Sequence, residues 1–118
     1  LPQKYGLGKD TGENAVNNGE QMWDKLVSKY PNILFVFSGH VLNSGVGTLV
    51  SIGDHGNKVF QMLANFQDGV NRGQTGFLRI VDIDVKKQQV RVKTYSPYLK
   101  EYKNDVKNKF SFEGVNFK

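Results

Sequence analysis

The chain has 118 residues and a mass of 13.3 kDa, with 38% hydrophobic and 23% charged residues, which is one domain's worth of chain, able to bury a core, and not a disordered composition. Cysteine is absent, which excludes a disulfide scaffold, a thiolate zinc site and a cysteine nucleophile. The net charge of +5 is unevenly spread, with 7 basic and 8 acidic residues in 1–85 against 9 basic and 3 acidic in 86–118, so any attraction for an anionic partner belongs to the last third.

Residues 1–19 are rich in Gly, Asn and charge without a period, and read as a flexible or extended arm. Leu1-Pro2-Gln3-Lys4 carries no apolar signal core, although a cleaved mature start would look the same, and no apolar run approaches the roughly 20 residues of a membrane span. Asn18 suits a helix cap, with Gln21 three residues later as in a capping box. Met22, Trp23, Leu26, Val27 and Tyr30 then recur at helical spacing as one apolar stripe, with Trp23 in the core, and Pro31 stops the helix.

Ile33 to Phe37 is an unbroken run of β-formers, expected as a strand buried on both faces in the middle of a sheet. It ends at Ser38-Gly39-His40, and sites in α/β sheets lie at the carboxyl ends of strands. A glycine-studded stretch comes next, crossed by a short strand from Thr48 to Ile52, and then a strand from Val59 to Ala64. Phe77–Asp84 and Gln89–Thr94 alternate about the turn 85–88, which predicts an antiparallel hairpin ended by Pro97. Phe110-Ser111-Phe112 is a last short strand. The expected class is therefore α+β or α/β, one N-terminal helix followed by a mostly antiparallel β-sheet.

Chemistry has few candidates. The histidines are His40 and His55, and a metal would take both together with carboxylates from Asp54, Asp68, Asp82 and Asp84. His40, at a strand end after a glycine, is the stronger ligand candidate; His55 looks like a turn residue, and Asp82 and Asp84 share a solvated strand face. Ser38 lies two residues from His40, but no Gly-x-Ser-x-Gly elbow is present, and Gly45-Val46-Gly47 lacks the remainder of a phosphate loop. Tyr95, Tyr98 and Tyr102 stand among Lys93, Lys100 and Lys103, an interleaving that suits single-stranded nucleic acid or glycan, or else a packed extended tail. The packed tail is the expected reading, with nucleic acid not expected as a partner.

Several segments together resemble the carboxyl-terminal half of the calcineurin-like metallophosphoesterases. They are Trp23-Asp24-Lys25-Leu26-Val27, Tyr30-Pro31-Asn32-Ile33, Phe37-Ser38-Gly39-His40, Gly56-Asn57-Lys58-Val59, Met62-Leu63-Ala64-Asn65-Phe66-Gln67, Gly76-Phe77-Leu78-Arg79-Ile80 and Thr94-Tyr95-Ser96-Pro97. The resemblance runs from Gly19 to Phe112 and makes residues 20–118 the C-terminal half of such a domain. It implies half of a β-sandwich flanked by helices, and a centre of two divalent metal ions that polarises a phosphate ester and supplies a hydroxide nucleophile. The family takes metal ligands from Asp-x-His, Gly-Asp-x-x-Asp and Gly-Asn-His motifs in its amino-terminal half, and from a further His and a Gly-His-x-His in its carboxyl-terminal half. Here only Gly39-His40 matches, so His40 is the one metal ligand the resemblance carries over; Leu42 stands where the second histidine of that motif belongs, and the three amino-terminal motifs do not occur.

The implied activity is phosphate-ester hydrolysis by a larger parent, with this segment inactive alone and its substrate reached through the missing half. Self-association would cover faces that the missing half leaves bare, and the family's frequent export points to an extracellular setting. The alternative is a basic, non-catalytic binding module for polyanions or nucleic acid.

Overall fold

Asn18 opens the first helix as its sequence context predicts. Its side chain accepts a hydrogen bond from the Gln21 amide and the Gln21 side chain accepts one from the Asn18 amide, both at 2.9 Å. This reciprocal box satisfies two amides that a helix start otherwise leaves unpaired. The computed structural model describes residues 15–40, 45–66 and 75–118; most of the arm expected over 1–19 lies outside them. The chain divides into two units, one of residues 1–34 and 51–59, the other of residues 35–50 and 60–118.

In the first unit, helix α1 (Gly19–Lys25) has Glu20 in its first turn and Lys25 in its last, each at the end where the helix dipole favours its charge. It stops earlier than Pro31 requires. Leu26 turns out of the helix at φ −133°, and Val27–Lys29 continue as a tight 3-10 turn. The expected apolar stripe is therefore broken: once the 3.6-residue period ends, later side chains no longer project from one side. Val27 is buried and Trp23 half-buried, whereas Met22, Leu26 and Tyr30 are exposed. The turn 53–57 in the same unit is closed by the Gly53 amide donating to the Asn57 carbonyl at 2.8 Å. A Cβ at Gly53 would lie 2.6 Å from Asn57 Oδ1, so a side chain there would displace Asn57.

The second unit is built from strands, of which β2 (Val46–Ile52) and β3 (Lys58–Ala64) run partly into the first. Strand β1 (Phe35–Ser38) pairs in parallel with β3, from Phe35 opposite Phe60 to Ser38 opposite Leu63, and the sheet order is β1-β3-β2. The apolar run thus forms a strand two residues later than expected, and at an edge of the sheet. Phe37 is 60% exposed, which corrects the expectation of a strand covered on both faces.

The expected hairpin is present. Strands β4 (Leu78–Asp84) and β5 (Gln89–Ser96) are antiparallel from Leu78 opposite Tyr95 to Asp84 opposite Gln89. The turn is fixed by Asp84, whose side chain accepts from the Lys87 amide at 2.9 Å. Two short strands share the other side of β5. Strand β6 (Glu101–Lys103) pairs with its carboxyl end and β7 (Phe110–Glu113) with its amino end. β6 escaped the sequence reading because Glu101-Tyr102-Lys103 has one aromatic between two charges and no apolar alternation.

Both sheets contribute to the core. Phe60 and Met62 of β3, Val90 and Val92 of β5, and Val115 are buried together, with Phe35, Val81, Phe110, Phe112 and Phe117 packed around them. The rings of Phe60 and Phe112 lie 4.7 Å apart, a contact worth about 0.5–1.5 kcal/mol beyond the area it buries. The architecture is α+β, one short helix followed by mostly antiparallel sheet. Among the described residues, no helix is long and apolar enough to cross a membrane.

Candidate functional site

The parallel pair brings the carboxyl ends of β1 and β3 side by side. Parallel strands end on the same side of their sheet, so the residues beyond those ends can converge. After β1 come Gly39 and His40; after β3 come Asn65 and Phe66. A Cβ on Gly39 would meet the Ala64 carbonyl oxygen at 3.3 Å, a tight contact that the glycine avoids. His40 is exposed and has φ 54°, the left-handed region that few non-glycine residues enter. Backbone in that region clusters at ligand-holding positions, where surrounding structure maintains it. Asn65 is buried, and its amide donates to the Gly45 carbonyl at 2.7 Å, which ties the start of β2 to the same end of the sheet.

Arg79 lies within the same unit. Its Nη1 donates to the Leu63 carbonyl at 3.2 Å, its Nη2 to the Lys107 carbonyl at 2.9 Å, and its guanidinium carbon sits 5.3 Å from the centre of the Phe110 ring. Burial pushes its pKa down from the usual arginine value, although a guanidinium stays charged in proteins. Nothing in the residue type announced this role. The signal available was positional: Arg79 alternates with Phe77 and Val81 on the inward side of β4, where a cation needs partners.

The other candidates stand elsewhere. Asp54 and His55 belong to the first unit and hold its 3-10 turn. Lys29 Nζ lies 2.6 Å from Asp54 Oδ2, the Asp54 amide donates to the Ser28 carbonyl at 2.8 Å, and His55 Nε2 lies 3.1 Å from the Lys29 carbonyl. The hydrogen bond and charge of the partner raise the Lys29 pKa, and the hydrogen bond from Lys29 lowers that of Asp54. His55 thus behaves as the turn residue its neighbours suggested. Asp82 is held by Arg91 at 2.6 Å and Asp84 by the β4–β5 turn; Asp68 and Leu42 lie outside the described residues. Among the described residues, no group of three or more His, Asp or Glu could hold a metal ion. His40 alone is one donor, short of the three or four ligands a catalytic site takes from its protein, so these residues do not by themselves fit a metal centre.

The expected packed tail is replaced by an open surface. Tyr95 and Tyr102 face each other across β5 and β6 with ring centres 4.6 Å apart, Tyr102 is exposed, and Tyr98 is 77% exposed in the intervening turn. Lys103 does not join them; its ammonium lies over the Phe77 ring, 4.4 Å from the centre.

This chain is 38% identical over 88 residues to the uncharacterized protein YvnB of Bacillus subtilis (strain 168). The match takes in 70% of this chain and 7% of that protein, so the chain spans a small fraction of the relative's length. No family profile matches the chain, and no solved structure matches it.

Proposed function

We propose that this chain is the carboxyl-terminal segment of a metal-dependent phosphoesterase and that His40 is its contribution to the metal centre. The observation that carries the reading is the end of β1. A glycine stands close to the Ala64 carbonyl of the parallel strand, and the next residue is an exposed histidine at positive φ. An exposed imidazole at a strand end is open to solvent, as a metal ligand or phosphate contact must be. The ordered segments from Gly19 to Phe112 that resemble the metallophosphoesterases support the same reading, as does the packing of side chains from two sheets into one core. The other donors would come from outside these 118 residues, and the substrate would be a phosphate ester. The family's habit of export favours an extracellular setting.

The test is hydrolysis of p-nitrophenyl phosphate and its bis-ester by the parent protein carrying this segment, with Mn2+, Zn2+ or Mg2+. Metal-stimulated turnover that falls at least 100-fold in His40→Ala is expected, while the 118-residue chain alone is inert. Turnover by the parent that ignores His40→Ala, or no turnover with any of these metals, overturns the proposal.

A further inference from the structure

The face of the four-stranded sheet turned away from the core is patterned. Cross-strand register places Leu78, Tyr95 and Tyr102 in one row over three adjacent strands, and Ile80 beside Lys93 in the next. Leu78, Ile80 and Tyr102 are exposed and Tyr95 half-buried. In the third row Arg91 and Asp82 neutralise each other at 2.6 Å. Lys93 is exposed and makes no ion pair among the described residues. Residues two apart on a strand share a face about 7 Å apart, so the Lys93 ammonium has the paired rings within reach of its four-carbon stem.

We propose that this face binds single-stranded nucleic acid, with bases stacked on Tyr95 and Tyr102 and a phosphate held by Lys93. The site is separate from the His40 end of β1 and does not rest on the phosphoesterase reading. An antiparallel sheet with adjacent exposed aromatics offers flat surfaces at a fixed spacing, which suits successive unstacked bases and takes no account of their identity. The charge beside the rings has the matching sign: Lys93 is next to them, while the acids of this face lie further along it, Asp82 paired with Arg91, Asp84 with Lys87, and Glu113 bonded to Gln89 and Ser111. A neutral glycan would stack on the same rings without using the lysine. A polyanion with planar rings uses both features.

The experiment is fluorescence anisotropy of a labelled 12-nucleotide oligo(dT) titrated with the 118-residue chain between 50 and 300 mM NaCl. Circular dichroism confirms that each variant is folded. Wild type binds and weakens as salt rises. Tyr102→Ala loosens binding about tenfold or more, as expected for one lost stack, whereas Tyr102→Phe, which keeps the ring, stays within about twofold. Lys93→Gln lowers the slope of log affinity against log salt by about 0.7, the value for one phosphate contact on a single strand. Three results overturn the proposal: no binding at 50 mM NaCl, a folded Tyr102→Ala that binds like wild type, or an unchanged slope in Lys93→Gln. Salt-insensitive retention on immobilised dextran that needs Tyr102 overturns it too, and assigns the face to a neutral glycan.

Discussion

Strands β1 and β5 are both rich in apolar residues, yet they meet opposite fates. β5 alternates, and its inward residues Val90, Val92, Thr94 and Ser96 are all buried while Arg91 and Lys93 are exposed. β1 is apolar without interruption, yet it lies at a sheet edge and leaves Phe37 exposed. An alternating strand states which side is covered, here by Phe60 and Met62 of β3 and by Val115. A continuous apolar strand only states that both sides suit burial; the partners have to come from elsewhere in the fold.

The largest effect that sharpens this contrast lies between register partners. Met62 stands opposite Phe37 and is 2% exposed. Met62→Ala is expected to cost about 2–5 kcal/mol in urea unfolding, as for a buried side chain leaving a cavity. A second effect tests whether β5 depends on polar as well as apolar burial. The buried Thr94 hydroxyl donates to the Asn108 carbonyl at 3.0 Å. Thr94→Val keeps the shape and orphans that carbonyl, with an expected loss of about 1–3 kcal/mol by the same measurement.

A third and smaller effect is pH-dependent. Asp105 accepts hydrogen bonds from the Asn108 side chain at 2.9 Å and 3.1 Å, and this bonding holds its carboxyl below the usual carboxylate range. A depressed folded-state pKa contributes stability that is present above the unfolded value and lost as pH falls through the folded one. The melting temperature of wild type should therefore exceed that of Asp105→Asn near pH 6, and the gap should close as pH falls below about 4. An unchanging gap would mean that the Asp105 carboxylate does not anchor this turn. The smallest expected effect is Phe37→Ala, within about 0.5 kcal/mol of wild type in the 118-residue chain. A loss comparable to that of Met62→Ala would erase the distinction between the two strands.

The same contrast governs how much of the fold was legible in the sequence. The hairpin, its turn and the strand at Phe110 could be read because alternation and turn residues are local signals. The Asn18 capping box could be read because its two bonds join residues three apart. The early end of α1 could not, because Leu26 is an ordinary helix former and leaves the helix without a local breaker. For the candidate site, Gly39-His40 was visible as a strand-end pair, while the close approach at Gly39 comes from Ala64 on the parallel strand, 25 positions away. The tyrosines were visible as a cluster with lysines. Which lysine stays with them depends on β6, whose pairing places Lys103 opposite Thr94 on the buried side and leaves Lys93 beside the rings.

Arg79 carries a consequence for durability. The ion pair Lys29–Asp54 needs an ionised carboxylate and fails in acid. The guanidinium of Arg79 instead grips two peptide carbonyls, at the end of β3 and in the turn before β7. Neither carbonyl titrates, and the cation keeps its proton across the accessible range. In an acidic medium a carboxylate pair lets go, whereas this clasp still joins the end of β3 to the turn before β7.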